Sequence, residues 1–246
     1  MQNFEYYNPT RVVFGRGKRR QIGSLLRPLT DGPVLLHYGS ERIRRDGLFD
    51  EVAQSLEEAG LPFIALGGVV PNPRLSLVRE GVALCRREGV RLILAVGGGS
   101  VIDSAKAIAA GVASPDDIWT YFDTGRPAPA ALPVATVLTL PAAGSETSES
   151  MVITDEAARR KLGHSSRVLH PVLSVMDPEL FFTLPKNQIA NGVSDMMSHI
   201  FERYFTNTPH TDLTDGLCEA TLRTIMTKCG AWAMIVRSVA SHSPSV

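Results

Sequence analysis

Residues 91–96 read RLILAV and run directly into Gly97-Gly98-Gly99-Ser100 and a helical stretch over 101–110. An apolar run with no polar alternation has to be covered on both faces, as in a parallel sheet sandwiched by helices. The glycines that follow also have a physical use. Without a Cβ the backbone can approach a pyrophosphate closely and adopt dihedrals other residues avoid. The next helix then points free N–H groups and the positive end of its dipole at the anion. Ser100 is placed to cap that helix and to donate to a phosphate oxygen. Tight turns also use glycine for steric reasons alone, so it is the strand–turn–helix context that points to phosphate. The spacing is not GxGxxG, so this is not a standard Rossmann fingerprint.

The rest of the amino-terminal half repeats the strand–helix alternation. Aromatic and β-branched residues over 4–14 predict a strand ending at Gly15, and 18–29 a short helix stopped near Pro28. Residues 33–38 predict a strand followed by Gly39 and Ser40, and 48–59 an amphipathic helix closed by Gly60. A strand over 61–66, a turn at Pro71-Asn72-Pro73 and a helix over 75–88 with Gly89 as its stop come next. Residues 114–133 are Pro-, Asp- and Gly-rich and read as a loop, and 134–140 as another strand. From 187 the pattern is helical, over 189–205 and 212–226. The expected fold class is α/β: a parallel-sheet dinucleotide-binding domain over 1–183, then an incomplete all-helical, metal-binding domain beginning at 184–226. The segment 227–246 is expected to be an atypical tail without clean helical or strand register.

Composition excludes other classes. Lys+Arg and Asp+Glu each number 25, so there is no basic excess for a nucleic-acid partner. No apolar run reaches the roughly 18 residues of a membrane span, and the first residues lack a signal peptide's layout. Three scattered cysteines, Cys85, Cys218 and Cys229, fit a reducing compartment. A cytoplasmic protein is expected. No Ser–His–Asp or Cys–His arrangement stands out, and His164 and His170 are expected at the surface of an irregular segment.

Asp195 and His199 lie four residues apart on a predicted helix, which puts both side chains on one face, one turn apart. Such a pair can share a divalent cation. An ordinary Asp–His hydrogen bond is the simpler reading, and two ligands alone do not make a stable metal site.

In series, these motifs resemble the iron-containing (group III) alcohol dehydrogenases, and within them the butanol-dehydrogenase-like, NADPH-dependent aldehyde reductases. The residues that carry the likeness are 8–15 (NPTRVVFG), 71–73 (PNP), 97–106 (GGGSVIDSAK), 139–146 (TLPAAGSE) and the Asp195–His199 element. The resemblance implies a metal-dependent oxidoreductase interconverting primary alcohols and aldehydes by hydride transfer with NAD(P)(H), cytoplasmic and homodimeric when complete. It implies that Gly97, Gly98, Gly99 and Ser100 hold the pyrophosphate. Asn72, Thr139, Leu140, Ser148 and Lys161 would line the cofactor's path, with Asp103 near the glycine turn. It also implies that Asp195 and His199 are catalytic as ligands of iron or zinc, which would polarise the substrate oxygen as a Lewis acid. Gly39 and Ser40 stand where NAD-selecting members tend to place an acidic residue. Room for a 2′-phosphate, with Ser40 or Arg42 to bind it, favours NADP(H) over NAD(H), although Glu41 is close.

The sequence also departs from the family. Complete members are longer and supply two further histidine ligands from their helical domain. His210 and His242 do not sit in that context. A prematurely ended or frameshifted reading frame would explain both the shortness and the tail, and with it exposed apolar faces on the helices of 187–226; a genuine short paralogue with a divergent carboxy terminus is the other reading. Two other readings remain at this point: a related glycerol-dehydrogenase-type or dehydroquinate-synthase-like enzyme, and a nucleotide-binding remnant without catalysis. The TLPAAGSET stretch and DMMSH match the alcohol dehydrogenases better than the first of these.

Overall fold

The computed structural model describes residue 3 and residues 5–240, with side chains through Lys228. In chain order it holds β1 (Arg11–Phe14), a 3-10 turn (Lys18–Gln21), α1 (Ile22–Leu26), β2 (Val34–Tyr38), α2 (Arg42–Arg45), α3 (Leu48–Glu58) and β3 (Phe63–Leu66). There follow α4 (Leu75–Glu88), β4 (Leu92–Gly97), α5 (Gly99–Ala113), α6 (Trp119–Thr124), β5 (Val134–Leu138), β6 (Ser150–Asp155), β7 (Arg160–Ser165) and β8 (Leu173–Met176). The helices α7 (Lys186–Tyr204) and α8 (Asp212–Ala240) complete it. None of the described helices is long and apolar enough to cross a membrane.

Six strands form one sheet in the order β1-β8-β5-β4-β2-β3, every pair parallel. All residues of β2, β4 and β5 are buried, as expected of strands with helices on both faces. Because successive side chains point to opposite faces, Leu35, Ile93 and Ala95 pack with α4 and α5. Leu36, Leu92 and Leu94 pack with α1 and α3 on the other face. The chain runs outward from β2 to β3, then crosses back to lay β4 on the other side of β2. The order therefore reverses between β2 and β4, and in open α/β sheets ligands bind beyond the strand ends at such a point. Tyr38-Gly39-Ser40 and Gly97-Gly98-Gly99 both lie there.

Among the described residues two compact units divide the chain, one of residues Tyr7–Phe181 and one that takes in 182–240 with residues 3, 5 and 6. In the second, α7 starts directly after Pro185, and Tyr204 Oη donates to Glu219 Oε1 of α8 at 3.0 Å. Phe205, Leu213, Leu217 and Met226 are exposed there.

Several elements differ from the sequence expectation. Residues 18–29 form a 3-10 turn and a five-residue helix. A Cβ on Gly23 would lie 1.8 Å from Ser55 O, and Pro28 cannot prolong the helix. The loop over 114–133 contains α6, because burying Trp119, Tyr121 and Phe122 outweighs the turn-prone composition around them. The antiparallel β6–β7 hairpin and the four-residue β8 occupy a stretch for which no strand is predicted. Beyond residue 226 the backbone of α8 stays helical through Ala240, which corrects the expected loss of register. No proline interrupts that stretch, and extending a helix is far easier than starting one. The end of the tail beyond Ala240, with His242, lies outside the described residues.

One polar side chain sits deep in the sheet. His37 of β2 is fully buried, Nδ1 donating to Leu66 O at 2.8 Å and Nε2 accepting from Ser104 Oγ at 2.9 Å, so it joins β2, β3 and α5. Burial lowers its pKa from 6.5 to about 4, and the neutral ring is the form that fits. The unfolded chain therefore binds the extra proton between those two values. Stability contributed by this group is complete above about pH 6.5 and lost as pH falls toward 4, on the order of 3 kcal/mol at most. His37→Gln should flatten the pH dependence of the urea midpoint between pH 7 and 4.5 relative to wild type. An equally steep acid limb in the variant would remove His37 as its cause.

Candidate cofactor-binding site

β4 ends at Gly97 and α5 begins at Gly99, so Gly98 is the N-cap, in an extended conformation and with no side-chain cap. Ser100 lies inside the first turn. The expectation that it caps the helix is thus corrected: Val101 N and Ile102 N both donate to Gly98 O, at 3.0 and 3.2 Å, which starts the helix before Ser100. The first N–H groups of a helix have no intrahelical partner. Left without a side-chain cap, they and the helix dipole remain available to an anion.

Close packing explains the glycines around this end. A Cβ on Gly97 would lie 2.4 Å from Val101 Cγ2 and 2.7 Å from Val101 Cβ. One on Gly39 would stand 3.3 Å from Val69 O and 3.6 Å from the same Val101 Cγ2, and one on Gly98 3.2 Å from Leu140 Cβ. Thr139 N donates to Gly97 O at 3.0 Å. The structure thus gathers Gly39, Gly97, Gly98, Thr139 and Leu140 at the start of α5, with Gly99 and Ser100 in its first turn.

Asn72 and Lys161, far apart in sequence, also meet. Asn72 adopts a left-handed backbone (φ 58) and accepts from Lys161 Nζ at 2.7 Å. Beside Gly39, Ser40 Oγ accepts from Arg42 N at 3.4 Å, and Arg42 pairs with Asp46 at 2.9 Å. The Glu41 carboxylate is met by Arg44 Nε at 3.2 Å and Tyr38 Oη at 3.3 Å.

Asp103 sits one turn into α5 and faces the protein. Oδ1 accepts from Ser145 Oγ at 2.6 Å and Oδ2 from Val152 N at 3.0 Å. Burial raises its pKa, opposed by Ser145 and by the Lys106 charge. Lys106 is fully buried, and burial pushes its pKa down to about 8 against the pull of Asp103 and Glu146. Ser148 Oγ accepts from Ser150 N at 2.9 Å, while Lys106 holds Ser148 O at 2.7 Å. Lys106 stands outside the candidate residues expected from the sequence. Its signal in the sequence is a lysine three residues after an aspartate, followed by seven residues without a polar side chain.

In the helical unit, Asp195 Oδ2 and His199 Nε2 face each other on α7 at 3.9 Å, both half-exposed. Among the described residues no group of three or more His, Cys, Asp or Glu side chains is arranged to hold a metal ion. His210 takes a left-handed backbone (φ 62) between α7 and α8. His164 and His170 are not surface residues. His164 is buried in β7 against Tyr121 and Phe122, where burial lowers its pKa. The side chain of His170 is only 8% exposed, with Nε2 3.5 Å from Glu149. The hairpin and the 3-10 turn that bury these histidines (β7 and Arg167–Leu169) were not foreseen.

A parallel sheet with an uncapped glycine-turn helix at its switch point defines a dinucleotide-binding α/β protein. The chain belongs to the iron-containing alcohol dehydrogenase family, whose model matches residues 9–178. It is 47% identical over 226 residues to the probable NADH-dependent butanol dehydrogenase 2 of Bacillus subtilis, covering 92% of this chain and 58% of that one. It is 37% identical over 233 residues to the NADPH-dependent aldehyde reductase YqhD of Escherichia coli, again covering 92% and 58%. The solved structure of NADH-dependent butanol dehydrogenase A from Thermotoga maritima matches with a TM-score of 0.88 at 43% identity, over 92% of this chain and 57% of that one. The chain therefore spans under two thirds of the length of these relatives.

Gly97→Ala tests the cradle. Val101 is β-branched and stiff at χ1, so the new methyl cannot be relieved by a side-chain swing alone. A loss of about 1–3 kcal/mol in urea unfolding is expected. A variant as stable as wild type would show that the turn has slack.

Proposed function

We propose that this protein is a nicotinamide-dependent oxidoreductase that interconverts small primary alcohols and aldehydes, cytoplasmic and homodimeric, with NADP(H) preferred and NAD(H) as the alternate cofactor. The observation that carries this reading is the uncapped N-terminus of α5 at the β2/β4 reversal, in a turn whose Gly97 and Gly98 pack closely against Val101 and Leu140. Gly97, Gly98, Gly99 and Ser100 would receive the pyrophosphate. Thr139, Leu140, Ser148, Asn72 and Lys161 would line the remaining path, with Asp103 behind the turn. The bound nicotinamide supplies hydride transfer at C4. This chain's residues bind and orient it.

The preference for NADP(H) rests on the end of β2. Neither Gly39 nor Ser40 carries a charge, and the Glu41 carboxylate is already met by Arg44 and Tyr38. A 2′-phosphate would meet no free carboxylate there. Ser40→Asp should weaken NADPH roughly tenfold or more by like-charge repulsion and leave NADH nearly unchanged. Titration by nicotinamide fluorescence reads both. Equal loss of the two nucleotides would show that Ser40 does not face the ribose.

Residues 184–226 are taken as the beginning of the metal-binding helical domain, with Asp195 and His199 as two ligands of iron or zinc. The described residues do not complete the four donors such an ion needs. They do not fit it as a closed site. A second reading is a nucleotide binder without catalysis. Elemental analysis beside NADPH oxidation with butanal separates the two. One equivalent of iron or zinc, with turnover lost in Asp195→Ala, supports the enzyme. Nucleotide binding with neither metal nor turnover supports the binder, and no nucleotide binding sinks both.

A further inference from the structure

Lys106 is the one charged side chain of α5 besides Asp103, and it is fully buried. Its Nζ lies 2.7 Å from Ser145 O, 2.7 Å from Ser148 O and 2.8 Å from Ser150 O, with Ser145 Oγ at 3.1 Å. An ammonium has three protons, and three carbonyls at these distances take them all. The hydroxyl is the longer fourth contact, since Ser145 Oγ gives its own proton to Asp103 Oδ1 at 2.6 Å. Lys106 thus has neither a spare proton nor exposed surface with which to meet a ligand itself.

Its effect falls on the segment it grips. Ser145, Ser148 and Ser150 are held by Lys106, and Ser145 and Val152 by Asp103. The stretch from 145 to 152 is therefore hung on one side of the helix that starts at the glycine turn. Three of its anchors are backbone carbonyls, those of Ser145 in a 3-10 turn (Ser145–Thr147), of Ser148, and of Ser150 at the start of β6, and buried carbonyls require such partners. Four oxygens converging on one positive centre at 2.7–3.1 Å also make a cage of the kind a weakly hydrated monovalent cation occupies.

We propose that Lys106 is a positioning residue. Its ammonium fills an oxygen cage built by residues 145–150 and fixes the Ser148 wall of the cofactor path against α5. Removing it leaves a site for a free cation of ammonium or potassium size. The claim about the cofactor rests on the functional reading above, whereas the cage itself does not.

The test uses Lys106→Ala in the whole chain, with two measurements made well below its melting temperature. Amide hydrogen exchange over 145–152 should quicken, and the NADPH dissociation constant should rise at least about tenfold. Ammonium or potassium chloride should reverse both. Sodium chloride at the same ionic strength, the control for screening, should reverse neither. An unchanged dissociation constant, or recovery that is the same in sodium, overturns the proposal. Should Lys106→Ala not fold, Lys106→Met keeps the stem without the protons. Weaker NADPH binding with faster exchange over 145–152 then supports the positioning role, and wild-type values of either overturn it. Wild-type protein that binds neither nicotinamide nucleotide would sink the functional reading, and ammonium-reversible exchange in Lys106→Ala would then decide the cage alone.

Discussion

The burial of α5 is the constraint on which the rest of the amino-terminal unit depends. Ten of its residues are buried, among them Ser104 and Lys106. Taking an ion out of water costs several kcal/mol even after relaxation, so each polar group on this helix requires a partner from an element packed against it. Ser104 finds His37 of β2, Lys106 finds the carbonyls of 145–150, and Asp103 finds Ser145 and the first part of β6. The apolar residues of the helix fix it against the sheet, and its polar ones fix what lies around it.

A second buried ion network plays the same part toward the other end of the sheet. Asp177, fully buried just after β8, pairs with Arg19 at 2.8 Å, and Arg19 also reaches Glu179 and Glu51 at 2.9 and 2.7 Å. It ties the 3-10 turn, α3 and the end of β8 together, with Arg19 only 11% exposed. Exposed pairs such as Arg79 with Asp117 and Arg160 with Asp123 have comparable distances. In high dielectric they contribute at most about 1 kcal/mol each. Distance alone does not rank these contacts; desolvation does.

Much of this frame was legible in the sequence because it rests on local periodicity. The run 91–96 and the glycines after it placed β4 and the start of α5, and 75–88 matched α4, closed by Gly89 in a left-handed conformation. What failed to show was set by distant partners. Residues 150–155 and 160–165 mix polar and apolar side chains too evenly to announce a hairpin, and β8 is only four residues long. His164 and His170 looked like surface residues until the aromatic ring of Phe122 and the carboxylate of Glu149 were seen beside them.

The sequence by itself determined the alternation of strands and helices, the glycine turn at the end of the strongest strand and the shared face of Asp195 and His199, since each follows from spacing along one element. Only the tertiary structure decided the strand order that puts Gly39 beside Gly97, the meeting of Asn72 with Lys161, and the role of Lys106. Those depend on which elements are brought together when apolar faces leave water. The hydrophobic effect that drives this is non-directional, so it fixes such neighbours through the packing of the whole domain rather than through any short stretch of chain.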